Sequence, residues 1–145
     1  MTTMQYPRSP KEQVNGLCFL GRLIDKVNMR NAGLIQDYNY LTSGFDKYLL
    51  DKLEIKGEDF EEYVLQGGSE EEVANWVKVK GKGLTEEEKA EWNNMVLTFG
   101  PKAPMAQQAF DRNKLALAKK RGVAVDALSH ITTWFELIEH DEDRM

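Results

Sequence analysis

The sequence holds a single cysteine, Cys18, which excludes an internal disulfide framework and any zinc site built on several thiolates. Histidine is nearly as scarce. His130 and His140 stand ten residues apart, with no HExxH arrangement, and Asp141-Glu142-Asp143 does not follow the calcium-loop pattern. No metal site and no cofactor is therefore expected. No apolar run approaches the roughly 18–20 residues of a membrane span, and residues 1–10 lack the apolar core of a secretory signal. Positive charge is also short: 19 Lys and Arg face 24 Asp and Glu, for a net charge of −5. Phosphate backbones need a basic surface, so the balance argues against a chain built for nucleic-acid binding. Gly81-Lys82-Gly83 lacks the Gly-Lys-Ser/Thr ending of a phosphate loop. Strand-like alternation is confined to Val77-Lys78-Val79-Lys80, inside a capped helical segment. One cysteine and no membrane segment fit a soluble, cytoplasmic protein of undetermined oligomeric state.

What is present is a repeated helix grammar. With 145 residues, 41% hydrophobic and 30% charged, the chain can bury one real core. Ser9…Glu12, Ser69…Glu72 and Thr85…Glu88 each have capping-box spacing, and glycines at 33, 57, 67, 81, 100 and 122 supply stops. The expectation is an all-α fold: one compact domain, 1–145, of about seven short helices packed around a central N-terminal helix. Residues 1–8 read as an extended lead-in and 34–42 as an ordered loop. Further helices are expected to start at Ser43, Glu58, Ser69, Thr85, Pro104 and Ser129, and 140–145 form an acidic tail. Trp76, Trp92, Trp134 and Phe135 sit at core spacing. The acidic runs Glu70–Glu72 and Glu86–Glu88 occupy first turns, and Lys119-Lys120-Arg121 a last turn, where each complements the helix dipole. Lys78, Lys80 and Lys82 read as a solvated basic cluster.

The central helix is expected over Ser9 to Ala32. Val14, Leu17, Phe19, Leu20, Leu23, Ile24 and Val27 would cover an arc of roughly 220°, against about 100° for an ordinary surface helix. The rest of the wheel carries Arg22, Asp25, Lys26 and Arg30, with Cys18 among them and Arg8 just before. Neighbouring cations would lower the Cys18 thiol pKa, but no histidine is near and an inert cysteine is the better reading. Arg22 and Lys26, four residues apart, repel unless an anion joins them. That anion is Asp25, Asp46, the tail carboxylates or a ligand. The candidate ligand-binding residues are thus Arg8, Arg22, Asp25, Lys26 and Asp46, with Asp25 as a weak catalytic candidate and an internal salt-bridge network as the plainer reading. Gly16 and Gly21 each cost a helix about 1 kcal/mol against alanine, which suggests close approach or a kink. The four cations also motivate an expectation that Asp141–Asp143 dock near the start of this helix.

Tyr6-Pro7-Arg8-Ser9-Pro10, followed by Gly16, Leu20, Arg22 and Ile24-Asp25-Lys26, resembles the opening of a bacterial family known as domain of unknown function fifty sixty-nine. Tyr38-Asn39-Tyr40, Phe45-Asp46 before Leu49-Leu50, Glu71-Glu72-Val73…Trp76-Val77 and Thr133-Trp134-Phe135-Glu136-Leu137-Ile138, then Asp141-Glu142…Arg144, extend the resemblance over most of the chain. Leu53-Glu54-Ile55 departs from the Leu-Gly-Ile often found there. The resemblance implies a small, soluble, intracellular bacterial domain and brings no activity, substrate or cofactor. The functional expectation is a helical module that binds a partner protein or a small anionic ligand. The alternative is a small enzyme using Asp25 with Arg8, Arg22 and Lys26 on an anionic substrate.

Overall fold

The computed structural model describes residues 6–34, 40–42 and 44–144. Among them the fold is all-α. Seven α-helices run in order: α1 Leu20–Asn31, α2 Gly44–Leu53, α3 Gly57–Leu65, α4 Glu70–Lys80, α5 Glu86–Thr98, α6 Pro104–Arg121 and α7 Trp134–Asp141. A 3-10 helix, Val125–Leu128, precedes α7, and two short strands, β1 Gln13–Val14 and β2 Leu17–Cys18, precede α1. The chain forms two compact units, Met1–Asn93 and Asn94–Met145.

The first helix is shorter than its apolar pattern suggests. Ser9 and Pro10 do not start it. β1 and β2 pair antiparallel, with Val14 opposite Leu17, and the turn between them is Asn15-Gly16, with φ of 54° and 78°. Positive φ at both central residues is the type I′ hairpin turn, and Asn-Gly is its strongest short signal. The apolar residues on either side belong to a period of two, not 3.6, so the 220° arc merges a hairpin with a helix. The helix begins after Phe19, whose φ of 75° places a bulky residue in left-handed backbone. From there α1 is almost wholly buried: every residue from Leu20 to Val27, and Met29. The central position is retained even though the element loses its first turns.

Around α1, unit 1 assembles as its apolar spacing demands. Phe45, Leu49, Leu50 and Leu53 of α2 are buried, as are Phe60 and Val64 of α3 and Val73, Ala74 and Val77 of α4. α3 packs on α1 and α4 on α3. Tyr63 stacks on Trp76, with ring centres 4.6 Å apart and 10° between planes. The Ser69 and Thr85 capping boxes both form. Ser43, the expected cap of α2, and residues 35–39 of the expected loop lie outside the described residues. The middle of α5 braces the hairpin. Asn93 accepts the Cys18 N–H at 2.8 Å and donates to the Gly16 carbonyl at 2.9 Å, while Trp92 Nε1 donates to the Cys18 carbonyl at 2.9 Å.

Unit 2 has its own core of Phe110, Leu117, Ala118, Leu128, Ile131 and Leu137, against which Trp134 packs. Pro104 opens α6 and Gly122, at φ 69°, closes it, as expected. α7 starts later than Ser129. Thr133 and Glu136 form a full capping box there, and Ser129 instead ends the 3-10 helix. Ile131 is buried from the connecting turn rather than from a helix face.

Candidate functional site

Arg8, Arg22, Asp25, Lys26 and Asp46 all lie in unit 1, where hydrogen bonds and ion pairs tie them into a charge network. One side of α1 carries Arg22, Asp25 and Lys26, all buried. The lead-in crosses it at Arg8 and is held by main chain and side chain alike. Asp25 accepts the Arg8 N–H at 2.9 Å, the Arg8 Nε at 2.9 Å and the Arg8 Nη2 at 3.1 Å. Arg22 Nη1 donates to the Arg8 carbonyl at 3.1 Å. Among the described residues the buried Arg22 Nε meets no acceptor, while the guanidinium has further contacts of its own. Gly21 explains how the Arg8 guanidinium fits: a Cβ there would stand 3.0 Å from the Arg8 Cζ and 3.1 Å from its Nη1. The bond to Asp25 outweighs burial and raises the Arg8 pKa further, with a smaller contribution from Glu70.

Lys26 turns to the other side and donates to Asp46 at 2.8 Å. The two side chains are 5% and 1% exposed, so this pair is dry. Asp46, in the first turn of α2, also accepts the Leu41 N–H at 3.0 Å. The Lys26 ammonium stands 5.2 Å from the centre of the Phe19 ring, and the Arg22 guanidinium 6.0 Å from the same ring. Phe19 in turn packs on Phe45 at 5.6 Å. The left-handed backbone at Phe19 therefore aims an aromatic face at the two cations of α1.

Two members are not legible as such in the sequence. Glu70 reads as a first-turn dipole residue, yet it pairs with Arg8 and carries the network to α4. Phe19 reads as a core residue of a regular helix. Arg30 leaves the group: its guanidinium lies 4.4 Å over the Tyr40 ring. The Tyr40 hydroxyl donates to Glu61, and burial, reinforced by that carboxylate, pushes the phenol pKa well up. Cys18 is on β2 rather than beside the cations on a helix. Its thiol is buried, and burial raises its pKa, the opposite of activation. Arg8 takes Asp25 and Glu70, and Lys26 takes Asp46. The tail carboxylates have pairs within unit 2: Asp141 with Lys120, Asp143 with Arg121, and Glu142 with Arg144, which also reaches Glu139.

Beside the network, unit 1 has an open cleft of about 40 Å³. Leu17, Leu20, Leu53, Ala74, Val77 and Leu84 make its apolar floor, and Lys78, Lys82 and Lys89 stand around it. Lys82 pairs with Glu88 at 3.3 Å and Lys89 with Glu86 at 3.4 Å, both through long side chains. Gly81 passes close to Leu53, one of the lining residues: a Cβ there would lie 2.2 Å from the Leu53 carbonyl and 2.6 Å from Ile55 Cγ1. Only glycine lets the chain pass so close that the Lys82 N–H donates to the Leu53 carbonyl at 2.7 Å. The Gly-Lys-Gly sequence is thus more than a helix stop. Lys78 and Lys82 read as a solvated cluster because nothing in their spacing shows the apolar floor.

Among the described residues no helix is long and apolar enough to cross a membrane, and no group of three or more His, Cys, Asp or Glu side chains is placed to hold a metal ion. No curated protein matches the chain. A family model, described as Domain of unknown function (DUF5069), matches residues 4–144, a span that includes the network from Arg8 to Glu70 and the whole cleft. The chain therefore belongs to the DUF5069 family.

Proposed function

We propose that this chain is a binding module for a small anion with a short apolar end, taken up in the lysine-bordered cleft of unit 1, and that the charge network is the frame that holds the cleft in shape. The reading rests on the cleft's composition: three lysines around a floor of leucine, valine and alanine. Small-ligand sites are concave and mostly apolar, with a few polar groups that fix orientation. A volume of about 40 Å³ suits a tail of a few carbons rather than a nucleotide. Lys82 and Lys89 exchange exposed glutamate partners for the ligand at little cost, since exposed ion pairs are worth about 0–1 kcal/mol.

The network supports the frame role. Both Asp25 oxygens accept from Arg8, and the carboxylate is buried, which ties it to the arginine rather than to a substrate. A general base needs reach to the proton it removes. The Lys26–Asp46 pair is closed off in the same way. This favours binding over Asp25-based catalysis, and a small ligand over a partner protein. The test uses butyrate, butylammonium and inorganic phosphate, each titrated into the full chain by two-dimensional amide NMR. Butyrate is expected to shift Leu17, Leu20, Val77 and Leu84. Butylammonium, with the same tail and opposite charge, is expected to leave them in place, and phosphate to bind more weakly for want of a tail. Equal responses to all three, or shifts centred on Arg8 and Asp25, would sink the proposal.

A further inference from the structure

We propose that His130 and His140 form a site for a divalent late first-row ion of the zinc type, held through their two Nε2 atoms. Ten residues separate them in sequence and no motif joins them. Unit 2 closes the gap. His130 lies in the turn after the 3-10 helix, which packs on α6, and His140 lies in the last turn of α7. Their Nε2 atoms are 3.4 Å apart, with ring centres at 5.4 Å and 64° between planes. Two imidazole nitrogens bound at about 2.0–2.1 Å to a tetrahedral ion stand roughly 3.3–3.4 Å apart, with ring centres near roughly 5.2 Å. A good nitrogen–nitrogen hydrogen bond is shorter, about 2.9–3.0 Å. The pair is spaced for an ion between its nitrogens better than for a shared proton.

The backbone on both sides is anchored. Arg121 donates to the His140 carbonyl and Lys120 to the Asp141 carbonyl. Ile131, next to His130, is buried, and its carbonyl accepts from Lys114 at 3.2 Å. The charged groups around the pair come from two elements: Lys120 and Arg121 from the end of α6, and Asp141 and Asp143 from the end of α7 and the residues beyond it. They pair with each other, Lys120 with Asp141 and Arg121 with Asp143, which blunts the repulsion that two cations would exert on an ion. His130 is exposed and His140 half-buried, so water reaches the remaining coordination positions. With two protein ligands the site is exchangeable and open to a further ligand, unlike the closed four-ligand sites that hold small folds together.

The test is a titration of the full chain with zinc chloride, followed by two-dimensional imidazole NMR. The Nε2 resonances of both histidines are expected to move together and saturate at one equivalent. His130→Gln and His140→Gln are each expected to weaken binding by about a hundredfold, because one imidazole loses the advantage of a linked pair. The side chains are at the surface, so the variants' melting temperatures stay at the wild-type value. Zinc that shifts neither imidazole, or only one, overturns the proposal, and the wild-type spectrum decides this even if a variant folds poorly. Undiminished zinc affinity in either variant overturns it too, and the pair is then a hydrogen bond only.

Discussion

Replacing Asp46 with asparagine should be one of the most damaging near-isosteric changes in unit 1. Asp46 is fully buried, and Lys26, its partner at 2.8 Å, is 4% exposed. The asparagine amide keeps an oxygen to accept the Leu41 N–H but removes the charge that neutralises the ammonium. Breaking a buried pair by removing one partner costs about 3–5 kcal/mol, because the other charge stays buried and uncompensated. The lower end applies here, since the amide oxygen still accepts one bond and the Phe19 ring face still attracts the ammonium, so a loss of about 3 kcal/mol is expected. At this chain length that corresponds to a fall in Tm of roughly 10 °C. Lys26→Met should cost less than Asp46→Asn, and the double variant should lose less than the two singles added together, with a coupling of about 2 kcal/mol. Urea denaturation of the four proteins measures this. A loss below about 1 kcal/mol for Asp46→Asn, or strict additivity in the cycle, would show that the pair is hydrated and that the network does not hold α1 to α2.

Leu20 is 1% exposed at the start of α1, so Leu20→Ala should cost about 2–5 kcal/mol by denaturation, and a loss below about half a kcal/mol would mean the face is not packed. Gly81→Ala places a Cβ against backbone rather than a flexible side chain, so calorimetry should register at least about 1–3 kcal/mol of destabilisation, and an unchanged Tm would mean the close pass at Leu53 is not required. Glu88 is held below the ordinary carboxylate range by the Thr85 N–H and by Lys82. Burial pulls Glu136 upward, but hydrogen bonds from Thr132 and Thr133 outweigh it and leave the pKa lowered. A depressed folded-state pKa gives stability that is present above the unfolded value near ~4.3 and is lost as pH falls through the folded one. Tm should therefore drop more steeply below about pH 4.5 in the wild type than in a Glu88→Gln/Glu136→Gln double variant, and equal slopes would contradict the cap assignments.

The helical content of this chain is legible because its helix signals are local. Ser69 with Glu72, Thr85 with Glu88, and Pro104 with Gly122 state starts and stops within a few residues, and each is found where its spacing puts it. The first helix is over-read because two local signals compete there. Ser9-Pro10…Glu12 looks like a helix start, but Asn15-Gly16 turns the chain, and continuous apolar residues on both sides conceal the change of period. The candidate residues Arg8, Arg22, Asp25, Lys26 and Asp46 are recoverable because like charges four residues apart on a buried helix demand anions. Glu70 is not, since its partner is 62 residues away and a helix dipole already accounts for an acidic first turn. The cleft is invisible in the sequence for a related reason: Leu17, Leu20 and Leu53 of its floor are far along the chain from the segment 74–89 that carries its lysines.

Whether the network is a frame and the cleft the binding site is decided by separating stability from binding. Asp25→Asn and a Lys78→Gln/Lys82→Gln/Lys89→Gln triple variant are compared for Tm and for butyrate affinity at a temperature where all remain folded. Asp25→Asn should lower Tm by several degrees, since it weakens a bidentate, partly buried arginine pair, and should leave butyrate affinity within about twofold. The triple variant should keep its Tm within a few degrees and lose butyrate binding by more than about tenfold. The opposite pattern, with Asp25→Asn abolishing binding and the lysine variant binding normally, would contradict the frame-and-cleft division and return the function to Asp25 and the cations around it.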